Sequence, residues 1–147
     1  MNIDKDVLQA RLTRLQSHFA RIDDRCPPTL DALVSNPDMQ DIIAHNLEKA
    51  IQVCVDISTH ICAAHGRSAA NAADSFDVLA DLGLIEPGLS RKLRKAVGFR
   101  NIAVHEYAEI DWAVVLRIAR DDIRDLKDFG KTVASLITEP PHPGVRS

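Results

Sequence analysis

The stretch Gly98–Tyr107, GFRNIAVHEY, gathers residue types that can move a proton beside a negatively charged group. An unperturbed histidine titrates at about pH 6.5, so His105 can serve as a general base or a general acid. Arg100 carries planar, permanently charged donors suited to the oxygens of a phosphate or phosphorane. Asn101 lies four residues before His105, one helical turn away, where its amide can hold an imidazole nitrogen and orient the ring. Upstream, SRKLRKAVGFR places Arg91, Lys92, Arg94, Lys95 and Arg100 within ten residues, with no acid until Glu106. On a chain of net charge −3 this is a local positive patch of the kind that follows a nucleic-acid backbone.

Arg100 falls where helical periodicity asks for an apolar residue, in the row Leu93, Val97, Arg100, Val104, Tyr107. A charge in such a row needs a partner, because burying it alone costs several kcal/mol, on the order of 3–5. On a regular helix Arg100 and His105 stand about 140° apart, so one small group cannot meet both. Either the helix loosens near His105, or a second chain completes the site across a two-fold axis. The residues alone also allow a blander reading: a solvated basic face with a satisfied histidine, and Tyr107 as an aromatic closing the apolar row. Spacing does not decide, since Arg11 and His18 on an otherwise structural helix make a comparable pair.

The elements that must position these residues are helical. At 147 residues, 46% hydrophobic and 27% charged, with 4% aromatics, the chain has the composition of one globular domain rich in helix formers. Leu8, Leu12, Leu15, Phe19 and Ile22 mark a helix over Ile3–Asp24, which CPPTL ends. A second runs from Asp38 to His65 with the seam Ile43, Leu47, Ala50, Cys54, Ile57, Ile61 and a second apolar row at Ile51 and Val55, so it is expected to be central. Gly66 is its stop. A short helix over Asp74–Leu82 faces Phe76, Leu79 and Leu82 inward. The motif helix spans Leu89 or Ser90 to near His105. The last is capped by Asp111 and reaches Ile137 along Trp112, Leu116, Ala119, Ile123, Leu126, Gly130, Val133 and Ile137, with Gly130 read as a point of close helix approach. No strand alternation or repeat interrupts this. The expectation is an all-α antiparallel bundle over 1–138, about four long helices plus one short, and a disordered tail over 139–147.

Other constellations are weaker. Cys26, Cys54 and Cys62 lack metal-type spacing, and the last two lie in an apolar pattern where thiols act as small hydrophobes. Asp56 and His60, one turn apart, can form a hydrogen bond along the helix; as metal ligands they would be too few. Nucleotide-binding glycine loops and a GxSxG elbow are missing from the sequence, so no metal or cofactor is expected. Neither a signal-peptide pattern nor a membrane-length apolar run occurs, and the expected location is cytoplasmic.

The string arginine, four residues, histidine, one residue, tyrosine, carried by Arg100, His105 and Tyr107 with Asn101 after the arginine, closely resembles the HepT toxins, a branch of the HEPN domains. The resemblance is strongest over NLEKAIQVCVDISTHICAAHG and from Phe76 to Asp111, and extends weakly over most of the chain. It implies a metal-independent endoribonuclease toxin of a type II-like toxin–antitoxin system, acting as a homodimer with the motif at a composite cleft. It also implies a partner, a minimal nucleotidyltransferase (MNT) antitoxin that adenylylates the motif tyrosine, Tyr107. The residue chemistry agrees: RNA supplies its own 2′-OH nucleophile, and Arg100 and His105 supply charge stabilisation and proton transfer. Arg91, Lys92, Arg94 and Lys95 are then the RNA-binding patch. A non-catalytic subunit presenting a substrate to a nucleotidyltransferase is the alternative, and a helical scaffold dimer a third.

Overall fold

The structure, a computed structural model, describes residues 3–105 and 110–138, with side chains left out for 101–105. Within these residues every regular element is helical. The helices are α1 (Lys5–Arg25), α2 (Leu30–Val34), α3 (Pro37–Ala64), α4 (Ala72–Asp81), α5 (Pro87–His105), α6 (Trp112–Arg117) and α7 (Ile123–Thr138), with a π-helical turn at Ile118–Asp122 joining α6 to α7. Local chemistry sets most of the starts. Asp4, Thr29, Asn36, Asn71 and Asp111 each accept a backbone N–H of the first turn through a side-chain oxygen. Gly66 and Gly83 take φ of 70° and 75° just beyond α3 and α4. There the next amide reaches back to close the helix, Arg67 N to Cys62 O and Leu84 N to Leu79 O.

The apolar rows of the sequence become the core. Leu8, Leu12, Leu15, Phe19 and Ile22 of α1 are buried against α3. α3 buries residues on both sides, from Ile43 to Cys62, and packs against α1, α4, α5 and α7, so it is the central helix. Paired residues give the helix directions. Asp4 meets His60, Arg11 meets Asp56 and His18 meets Asn46, which makes α1 and α3 antiparallel. Asp77 meets Ser90 and Asp74 meets Arg94, which does the same for α4 and α5. Cys54 and Cys62 lie within this core, where burial pushes both thiols up and away from the reactive thiolate. Among the described residues no helix is long and apolar enough to cross a membrane.

Four details depart from the sequence reading. α2 is an additional short helix, started by Thr29 inside what reads as a proline-rich turn. Five residues are too few to show a helical period. α5 begins at Pro87 rather than Leu89 or Ser90, because a first-turn residue needs no amide hydrogen. The last helix carries the π-turn, whose extra residue rotates the apolar row so that Phe129 is fully buried, edge-on to Phe76 at 5.6 Å. Gly130 is not a forced close approach: a Cβ there would meet Leu15 Cδ2 at an ordinary 3.5 Å. The expected tail at 139–147 lies outside the described residues.

Candidate active site on the motif helix

α5 is built as a helix with two unlike sides. Leu93 and Val97 are buried, and Ser90, also buried, donates to Asp77 Oδ1 at 2.7 Å, fixing the start of the helix on α4. Arg100 continues this inward row. It is half-buried, and its Nη1 donates to Gln52 Oε1 on α3. Gln52 Nε2 in turn donates to Asp56 Oδ1 at 2.8 Å, and Asp56 Oδ2 pairs with Arg11 Nη1 of α1 at 3.6 Å. The arginine that breaks the apolar row is thus met by a narrow polar row on the central helix. That polar row answers its burial: a hydrogen-bonded guanidinium in a half-exposed position avoids most of the desolvation cost.

α5 stays helical through His105. The backbone register therefore keeps Arg100 and His105 about 140° apart, and the helix does not loosen before the histidine. The side chains of Asn101 and His105, and Tyr107 altogether, lie outside the described residues. Asp111 caps α6 on the far side of this connection, as its sequence indicated.

The four residues of the basic patch separate. Arg94 turns to α4, where Nη1 contacts Asp74 Oδ1 at 2.8 Å and Asp77 Oδ2 at 2.7 Å. The hydrogen bond it donates to Asp74, with the nearby Asp77 charge, pushes its pKa further up. Arg94 is a tie between α4 and α5, and its charge is already answered. Lys92 pairs with Asp125 of α7 at 3.6 Å. Arg91 and Lys95 are exposed. Lys92 and Lys95 border a cleft of about 700 Å³ between α5 and the π-turn, floored by Ala96, Phe99, Val114 and Ile118. Gly98 lies on this cleft, and a Cβ built there meets no described atom within 4 Å, so the motif helix leaves room on this side.

The comparable pair on α1 has a different environment. His18 Nδ1 and Asn46 Oδ1 are 2.9 Å apart, and Asn46 Nδ2 already donates to Ile42 O, so the imidazole is the donor. The expected Asp56–His60 hydrogen bond is replaced: Asp56 holds Gln52 and Arg11, while His60 Nε2 accepts the Asp4 amide at 3.4 Å. The capping of α1 brings that amide over His60, which sequence spacing along α3 could not show. Gln52 is the residue that the sequence reading missed. Its signal was a polar pair, Gln52 and Asp56, one turn apart in the most apolar segment of the chain.

Known proteins resemble this chain in sequence and in fold. The mRNA nuclease HepT of Shewanella oneidensis is 36% identical over 92 residues, covering 62% of this chain and 69% of that protein. The tRNA nuclease HepT of Aphanizomenon flos-aquae is 28% identical over 115 residues, 75% of this chain and 76% of its own. Among solved structures, the tri-AMPylated Shewanella oneidensis HEPN toxin in complex with MNT antitoxin aligns with a TM-score of 0.82 at 28% identity, over 92% of this chain and 99% of that one. The HepT-like family, described as ribonuclease HepT-like, matches residues 15–133, from the middle of α1 into α7, and the chain belongs to that family.

Proposed function

We propose that this chain is the RNA-cleaving toxin of a toxin–antitoxin pair, a metal-independent endoribonuclease whose site is composed by two copies of the chain. The observation that carries it is Arg100: a guanidinium set in the inward row of α5, held by a neutral amide, on a helix that stays regular through His105. A contact to glutamine positions the arginine without cancelling its charge, as suits a group that must stabilise a phosphorane. The about 140° between Arg100 and His105 is met if each cleft takes its arginine from one subunit and its histidine from the other.

In this mechanism the substrate's 2′-OH attacks the adjacent phosphorus. The His105 of that cleft takes the hydroxyl proton, and the departing 5′-oxygen takes a proton from water. Arg100 donates to the non-bridging oxygens as charge accumulates, and Asn101 holds the imidazole tautomer. Products carry 2′,3′-cyclic phosphate and 5′-hydroxyl ends. Arg91, Lys92 and Lys95 guide the RNA backbone; Arg94, engaged by Asp74 and Asp77, contributes by holding α5 in place.

Regulation follows from Tyr107. On a continued helical register, a residue seven beyond Arg100 stands within about 20° of its direction. An MNT-type nucleotidyltransferase transfers AMP from ATP to the Tyr107 hydroxyl, forming a phosphodiester with loss of pyrophosphate. The added phosphate pairs with Arg100 as the scissile phosphate would, and the adenine fills the cleft. The AMPylated state of the Shewanella toxin, in complex with MNT antitoxin, supports this reading.

The test is purified chain with RNA in EDTA. Cleavage to cyclic-phosphate ends, with DNA untouched for want of a 2′-OH, is expected. A requirement for Mg²⁺, or activity that survives His105→Ala, excludes the mechanism. Tyr107→Phe should still cleave RNA yet escape inhibition by the transferase; AMP found only on a serine or threonine excludes the regulatory step.

A further inference from the structure

We infer that Gln52 and Asp56 of α3 are positioning residues for Arg100, a relay that fixes the guanidinium from the central helix; the inference rests on the nuclease reading above. A carboxylate can only accept hydrogen bonds. Asp56 Oδ1 lies 2.8 Å from Gln52 Nε2, so the Gln52 amide must present its nitrogen to Asp56 and its oxygen to Arg100. Asp56 is itself held by Arg11 at 3.6 Å, which keeps the carboxylate from turning away. Three helices, α1, α3 and α5, thereby determine the direction of one guanidinium, and the flexible side chain loses its freedom before substrate arrives.

The chemistry explains why the contacting residue is glutamine. A glutamate would hold Arg100 as well but would neutralise it and oppose Asp56. A leucine of similar volume would pack but hold nothing. The amide accepts from one of the five guanidinium N–H groups and, being neutral, adds no opposite charge of its own. Asp56, one turn further along α3, acts only through Gln52.

The experiment is single-turnover RNA cleavage by the full chain in EDTA. Gln52→Leu should lower the maximal rate about tenfold, with the half-saturating RNA concentration changed less than about twofold. Asp56→Leu should lose more than Asp56→Asn, whose carbonyl still accepts from Gln52. In the Arg100→Ala background, Gln52→Leu should cost nothing further, because its effect passes through the missing guanidinium. Losses that multiply, equal losses for the two Asp56 variants, or a wild-type rate in Gln52→Leu overturn the assignment. The Arg100 guanidinium is followed in parallel by ¹⁵N NMR, its signal identified by its disappearance in Arg100→Lys. Slow hydrogen exchange in the wild type and faster exchange in Gln52→Leu are expected; no difference overturns the relay. A wild-type chain that cleaves no RNA defeats the nuclease reading alone, while the exchange measurement still decides whether Gln52 holds Arg100.

Discussion

Two arginines on different helices reach neighbouring positions of α3, one turn apart, and they meet different partners there. Arg11 on α1 pairs with the Asp56 carboxylate, and the histidine one row further, His18, is joined to buried Asn46. Arg100 on α5 meets the neutral Gln52 one turn away along α3. Both contacts engage a guanidinium, but only the first brings an opposite charge at the contact itself. An ion pair answers a charge at the contact itself, whereas a neutral acceptor orients a guanidinium without adding an opposite charge there. Similar spacing in the sequence therefore serves cohesion on α1 and, on our reading, catalysis on α5.

The contrast can be broken most sharply at the motif. Arg100→Ala and His105→Ala should each lower RNA cleavage by roughly 10²–10⁴ while leaving the far-UV circular dichroism of the bundle unchanged. Retention of the wild-type rate by either would erase the distinction between the two pairs. Next comes the composite cleft. Mixing Arg100→Ala chains with His105→Ala chains should restore about a quarter of wild-type activity, since half the dimers are mixed and each has one intact cleft of two. Failure to recover activity, with subunit exchange verified, would place both residues in the same chain's site.

The α1 pair should respond in stability instead. His18→Ala leaves the buried Asn46 oxygen without its donor and should cost about 1–3 kcal/mol in urea unfolding, with cleavage per folded molecule unchanged. The smallest effects concern the patch. Arg91→Ala with Lys95→Ala should flatten the salt dependence of RNA binding, each lost phosphate contact reducing the log–log slope by about one. Arg94→Ala should leave that slope unaltered, because its guanidinium is turned to Asp74 and Asp77. A slope that falls equally for Arg94→Ala would return this arginine to the RNA surface.

Much of the bundle was legible from spacing. The seams of α1 and α3 repeat every three or four residues over several turns, and each residue read into them is buried, because a stripe that long can be hidden only against another helix. Short or irregular features escaped. α2 has too few residues to display a period, and the π-turn inserts one residue into a row that otherwise continues, so Phe129 displaces the simple register. The basic patch escaped for another reason: Arg94 is basic in the sequence whatever faces it, and only the antiparallel packing of α4 brings Asp74 and Asp77 to it.

The sequence by itself determined which residue types stand together on the motif helix, and that Arg100 interrupts an apolar row. Those are local facts, carried by covalent order and helical periodicity. What faces Arg100 was decided only by tertiary structure. Gln52 is 48 residues away, and its approach depends on how α3 is rotated, which is set by burial of its two apolar rows against α1, α4 and α7. Non-directional hydrophobic burial fixes that rotation first, and the few polar residues left between the rows then meet whatever the neighbouring helices present.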